Sequence, residues 1–293
     1  MQPGDITYRC AIRLEPGLPI SQTYFGMKRV WAVIVVLIGV SGCTCKLPLV
    51  NGAQAAVARE PVMIYGKPLE IRLSRSPGEA VAPCLVIYAT GDGGWQGLDQ
   101  QIFDWLSESG YMVAGFSSKD YLKNLVTVSD STTPHQLVRD FETVAGVAIR
   151  HFGLPADTGL VLVGLSRGAD LSAIAAGQVG FTRRLAGLLV LGLTDEEEYL
   201  RHHDPRHGGD GIEVSAGPLD PYACLKRVAD IPVVVIQSTN DDYVPAATAR
   251  ALFGPDTAMR RLVSVDASDH GFRGGCGSLY RNLQDWMHWI VFR

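Results

Sequence analysis

Apolar residues along this chain fall into two recurring patterns. Continuous runs such as "CLVIYA" (84 to 89), "GLVLVGL" (159 to 165), "LAGLLVLGL" (185 to 193) and "IPVVVIQS" (231 to 238) show no alternation. Strands buried on both faces of a parallel sheet look this way. Between them lie segments with apolar residues three and four apart, the spacing of one helix face. Ile102, Phe103 and Leu106 mark one such helix, from 98 to 109. A second runs from Pro134 to His151 with Leu137, Phe141, Val144 and Ala148 on one stripe, and a third from Ser278 to Val291 with Leu279, Leu283, Trp286 and Ile290. "EIRLS" (70 to 74), Tyr111 to Phe116 and Arg261 to Asp266 complete the strands. Strand and helix alternate throughout, which predicts a three-layer α/β sandwich around a mostly parallel sheet. Only residues 194 to 224, polar, acidic and rich in Gly and Pro, break the rhythm and read as a loop or lid inserted after a strand.

The N-terminus does not belong to that pattern. Met27-Lys28-Arg29 precedes "VWAVIVVLIGV", roughly 11 apolar residues where a spanning helix needs about 20. This is the layout of an export signal. It ends on "VSGC", whose Cys43 resembles the acylated cysteine of a bacterial lipoprotein; cleavage after Ala53-Gln54-Ala55 and an uncleaved anchor are the competing readings. Residues 1 to 26 read as an extension upstream of the true start. Domains are therefore expected as 1 to 58 for extension, signal and Ala-rich linker, and 59 to 293 for the folded unit, on the periplasmic side and anchored by lipid. At 293 residues, 47% hydrophobic and a net charge of -4, the chain offers one ordinary domain and no basic stretch for a nucleic acid. Of its cysteines, Cys224 and Cys276 are the expected disulfide, whereas Cys84 opens an apolar strand and reads as a buried thiol.

Chemistry concentrates at strand ends. "GLSRGAD" (164 to 170) puts Ser166 in a G-x-S-x-G pattern between a strand and a helix, a turn so sharp that its flanking glycines admit no Cβ. That context predicts the α/β-hydrolase fold. A serine hydroxyl needs a base, and the base a carboxylate, in the chain order Ser, acid, His. "QSTNDDYVP" offers Asp241 and Asp242, and its likeness to the D-x-x-V-P of many hydrolases favours Asp241; "VDASDHGF" supplies His270 as base. His202, His203 and His207 in "HHDPRH" read as a solvated loop before a metal site, and neither cofactor nor metal is expected. The glycine-rich "GDGGW" (91 to 95) reads as the oxyanion loop, with the Asp92 N–H, Gly93 beside it, and the Arg167 N–H as donors. Trp95 is a candidate wall of an acyl pocket. Asp170 is either a carboxylate in the first turn of a helix or a group that attracts a substrate ammonium.

"GDGGW" and "GLSRGAD" together resemble the VirJ/AcvB family of exported α/β hydrolases, over roughly residues 60 to 293. The resemblance implies hydrolysis of the aminoacyl ester of lysyl- or alanyl-phosphatidylglycerol, with Ser166 as nucleophile, His270 as base, Asp241 as orienting acid and Asp92 in the oxyanion loop. Its partners would then be an aminoacylated phospholipid and the membrane surface. Leu165 and Arg167 differ from the residues that relatives often carry beside the serine. A small-ester or dienelactone-type hydrolase, or an accessory protein on a hydrolase scaffold, are the other readings.

Overall fold

A computed structural model describes residues 55–77, 84–129, 132–178, 185–200 and 218–293. The export signal, Cys43 and the histidines of "HHDPRH" lie outside these residues. Eight strands form one sheet: β1 (Ala56–Ile64), β2 (Lys67–Arg75), β3 (Cys84–Ala89), β4 (Met112–Phe116), β5 (Gly159–Leu165), β6 (Leu185–Leu191), β7 (Val233–Ser238) and β8 (Arg260–Val265). Their order is β1-β2-β4-β3-β5-β6-β7-β8. The pairs from β4 through β8 are parallel, and β2 runs antiparallel to both β1 and β4.

Every residue of β3 and β7 is buried, because helices cover both faces of the sheet. The pleat sends alternate side chains opposite ways. Leu85, Ile87 and Ala89 join a core with α2 (Ser118–Leu125), α3 (Pro134–Phe152), α4 (Arg167–Ala176), α5 (Pro221–Leu225) and α6 (Ala246–Phe253). Cys84, Val86 and Tyr88 face α1 (Leu98–Glu108) and α7 (Cys276–Val291). Each large apolar side chain so buried contributes roughly 1.5–3 kcal/mol. The expected α3 stripe of Leu137, Phe141, Val144 and Ala148 is buried as a unit. In α7 the buried stripe is Leu279, Leu283, Met287 and Ile290, and Trp286 lies at its margin instead.

Three expectations need correction. The Ala-rich linker ends earlier than Ala58, since β1 begins at Ala56 and closes on β2 through Tyr65 and Gly66, with φ of 53° and 70°. Positive φ at both central residues matches the twist of a two-residue hairpin. The 194–224 insert is not loop throughout: α5 begins inside it, and its described flanks are pinned, Glu197 pairing with Leu219 and Leu200 with Thr132, with Leu200, Leu219 and Glu197 buried. Finally, Cys224 is free and buried, as is Cys84, while Cys276 is in a disulfide, so the expected Cys224–Cys276 bridge is not made. Burial pushes both free thiols up to about 11.

What positions the site is backbone-to-backbone packing. A Cβ on Gly164 would fall 2.2 Å from the Gly168 carbonyl oxygen, and one on Gly168 would fall 2.1 Å from that of Ala89. Neither neighbour is a flexible side chain, so α4 would have to move off β3 and β5. We predict that Gly168→Ala lowers unfolding free energy by more than about 3 kcal/mol or prevents folding, as read by urea denaturation.

Candidate active site

The turn from β5 into α4 holds Ser166 at φ 54°, ψ -124°. A serine is rarely found there, and the strain persists because the glycine contacts on either side leave the chain no other path. Its N–H donates to the Leu191 carbonyl at 2.8 Å, so the turn is also tied to β6. Ser166 Oγ stands 2.8 Å from Nε2 of His270, and Nδ1 of His270 stands 2.8 Å from Oδ2 of Asp241. A carboxylate can only accept, so Nδ1 carries the proton and Nε2 is left as the acceptor for the serine hydroxyl. Three residues from the ends of β5, β7 and β8 thus form one hydrogen-bonded line.

Asp241, rather than Asp242, faces the imidazole. Its second oxygen accepts from the Tyr243 and Val244 N–H groups at 2.9 and 3.2 Å, and Gln237 Nε2 donates to Oδ2 at 3.0 Å. Asp242 instead accepts from the His270 backbone N–H, at 3.4 Å. Gln237 is fully buried on β7 and also accepts from Leu193 N–H at 3.1 Å, which fixes the loop after β6. In that loop Gly192, at φ 59°, leaves room for the base: a Cβ would lie 3.0 Å from Cε1 of His270. Tyr243, 69% exposed, packs edge-on against the imidazole with centroids 4.7 Å apart.

The glycine-rich loop lies beside the serine. A Cβ on Gly91 would come within 3.2 Å of Ser166 Cβ, which is why this segment must be bare. Asp99, buried in α1, holds the loop from beneath by accepting from Gly91 N–H at 2.9 Å and Tyr88 OH at 2.7 Å. Gly93 is exposed, and a Cβ there would meet only the end of the Gln96 side chain. Trp95 is no pocket wall: it packs on Phe103 and Tyr88, sits against Gly115, and carries the Arg72 guanidinium 4.3 Å above its ring. Asp170 is not free to meet an ammonium either. It is 2% exposed, and its oxygens accept from Thr194 N–H and Oγ1 at 2.9 and 2.8 Å. Burial, reinforced by Glu197, holds it well above the usual carboxylate range. It anchors the start of the insert.

A cleft of about 340 Å³ opens over Ser166. Asp92, Asp170, Asp195, Glu196 and Glu198 line it, with Arg167 as the one cation among the described lining residues. A cleft lined this way favours cationic over anionic groups beside the nucleophile.

The family model described as "Bacterial virulence protein (VirJ)" matches residues 83–250, more than half of the chain. This protein belongs to the VirJ family. No curated protein matches it significantly. Among solved structures, this VirJ member is similar to a protein described as a dienelactone hydrolase from Klebsiella pneumoniae, with a TM-score of 0.55 and 16% identity over 80% of this chain and 98% of that one. It is also similar to an esterase domain from Rhodothermus marinus (TM-score 0.53, 18% identity, 81% and 99% covered). A third likeness is to Est1E from Butyrivibrio proteoclasticus (TM-score 0.53, 15% identity, 82% and 100% covered). These likenesses establish the α/β-hydrolase fold of the VirJ chain.

Asp99, Gln237, Glu197 and Tyr243 belong to no motif. Gln237 had a signal, as the one amide in the apolar run of β7; Asp99 had none, because a carboxylate near a helix start reads as an ordinary first-turn acid. Burial raises Asp99 from 3.8 to about 6, against the lowering effect of its Tyr88 and Gly91 hydrogen bonds. A carboxyl raised in the folded state favours folding while protonated. Its contribution is complete below about pH 4 and lost as pH rises through about 6. We predict that Asp99→Asn, which still accepts both hydrogen bonds, gains on wild type by about 3 kcal/mol between pH 4 and pH 7, measured as urea unfolding free energy against pH.

Proposed function

We propose that this protein is a serine ester hydrolase acting on the aminoacyl ester of lysyl- or alanyl-phosphatidylglycerol. The observation that carries the reading is the 2.8 Å contact from Ser166 Oγ to His270 Nε2, beneath a cleft rich in carboxylates. Ser166 Oγ attacks the aminoacyl carbonyl carbon as His270 Nε2 takes its proton, and Asp241 stabilises the imidazolium. The negative oxygen of the tetrahedral intermediate is received by the Asp92 and Arg167 N–H groups. Collapse breaks the bond to the glycerol oxygen, which leaves with the proton from His270. Water, deprotonated by the same imidazole, then releases the free amino acid and restores the serine.

The acidic lining supports an ammonium-bearing acyl group. Asp195, Glu196 and Glu198 are the carboxylates placed to meet it, in place of Asp170. Export and acylation at Cys43 would set the site facing a periplasmic membrane surface, where such lipids are substrates; the mass of the membrane-extracted chain reads that modification directly. The names of the structural neighbours favour a second reading, a hydrolase of small soluble esters.

The experiment sets lysyl- and alanyl-phosphatidylglycerol in mixed micelles beside a neutral nitrophenyl ester. Wild type is expected to release amino acid from at least one lipid, and Ser166→Ala to lose at least about a thousandfold in kcat with an unchanged circular dichroism spectrum. Turnover of the neutral ester alone selects the small-ester reading. Full activity in Ser166→Ala removes the serine mechanism.

A further inference from the structure

The two amide donors of the proposed oxyanion site lie on separate elements. Arg167 is the first residue of α4, and Asp92 is in the loop after β3. Among the described residues neither N–H has a protein acceptor, which leaves both available to a substrate oxygen. No backbone hydrogen bond joins one to the other. Their side chains do. Arg167 Nε donates to Asp92 Oδ1 at 2.6 Å and Nη2 donates to Oδ2 at 3.2 Å, a two-pronged fork that fixes both distance and angle.

The far side of the guanidinium is rooted. Nη1 donates to both oxygens of Glu197, at 3.0 and 2.9 Å, and the Glu197 side chain is completely buried and accepts from Tyr199 N–H at 2.9 Å. Nη2 also reaches Glu198 at 3.3 Å, and the ring of Tyr199 lies 5.3 Å beneath the guanidinium carbon. Burial alone would lower the Arg167 pKa; Asp92 and Glu197 outweigh it and hold the group above its ordinary range. A guanidinium so saturated by carboxylates has no donor to spare for a lipid phosphate. Its own fixed position is what it supplies.

We infer that the Arg167–Asp92 side-chain fork is a staple that sets the spacing of the two oxyanion amides, with the buried Glu197 holding the staple in place. Both are positioning residues through their side chains while their N–H groups touch the reacting oxygen. The inference rests on the hydrolase reading above and adds that the paired side chains act as one unit on the chemical step. A misplacement of about 1 Å in such a site costs on the order of a hundredfold in rate.

The test uses a neutral nitrophenyl acetate, which does not call on the acidic cleft, and a phenylboronic acid, which forms a tetrahedral adduct on a nucleophilic serine. Asp92→Ala, Arg167→Met and their combination are compared with wild type. Each single variant is expected to lose about ten- to a hundredfold in kcat with KM within about threefold, and to bind the boronic acid correspondingly more weakly. The combination is expected to fall no more than about threefold below the worse single variant, since one staple can be removed only once. Arg167→Lys, which keeps the charge and loses the fork, should recover little. Losses that multiply in the combination, or an Asp92→Ala enzyme within about twofold of wild type in kcat, overturn the staple. Should Arg167→Met fail to fold because Glu197 is left buried and unpaired, Asp92→Ala and Asp92→Asn decide on kcat and boronate affinity alone. Ser166→Ala in the same assay separates this outcome from failure of the hydrolase reading, which alone predicts its inactivity.

Discussion

The close approach of α4 to β3 and β5 is the constraint from which the rest follows. Backbone atoms meet where Gly164, Gly168 and Ala89 cross, at separations that no side chain tolerates. The chain between them has to turn within a single residue, and that residue is Ser166, held at a positive φ. Its hydroxyl is therefore placed by close main-chain packing, which yields little. Everything else at the site is brought to that fixed point: His270 from beyond β8, Asp241 from beyond β7, and the bare loop that follows β3.

Around this point the molecule buries carboxylates at a cost. Asp99, Asp170 and Glu197 are all raised by burial, so none is there for stability alone. Each ties a neighbouring group into place around the serine. Asp99 grips the loop at Gly91, Asp170 grips the start of the insert at Thr194, and Glu197 grips Arg167. Charged anchors of this kind exchange stability for a defined geometry.

The parallel strands are legible in the sequence because burial on both faces leaves them almost wholly apolar, as in "CLVIYA". The serine turn is legible for a related reason, since its glycines are dictated by contacts rather than by taste. Ser166, His270 and Asp241 meet as their order along the chain predicts. The hairpin edge is illegible: β1 exposes alternate residues, includes Pro61, and gains its pairing only from β2. Trp95 and Asp170 mislead because a residue type states what a side chain can do, whereas its neighbours decide what it does. An indole next to a site can as well wedge the loop onto Gly115, and a carboxylate can spend both oxygens on a threonine.

Cys84 and Cys224 are sealed inside, one on each face of the sheet, while Cys276 is already paired. In an oxidising compartment the unfolded chain would present all of these sulfurs to one another with nothing to rank the partners. Collapse of the core is what withdraws the two unwanted thiols from that competition. In such a compartment the fidelity of oxidation would be a matter of timing, with the hydrophobic layers serving as its chaperone.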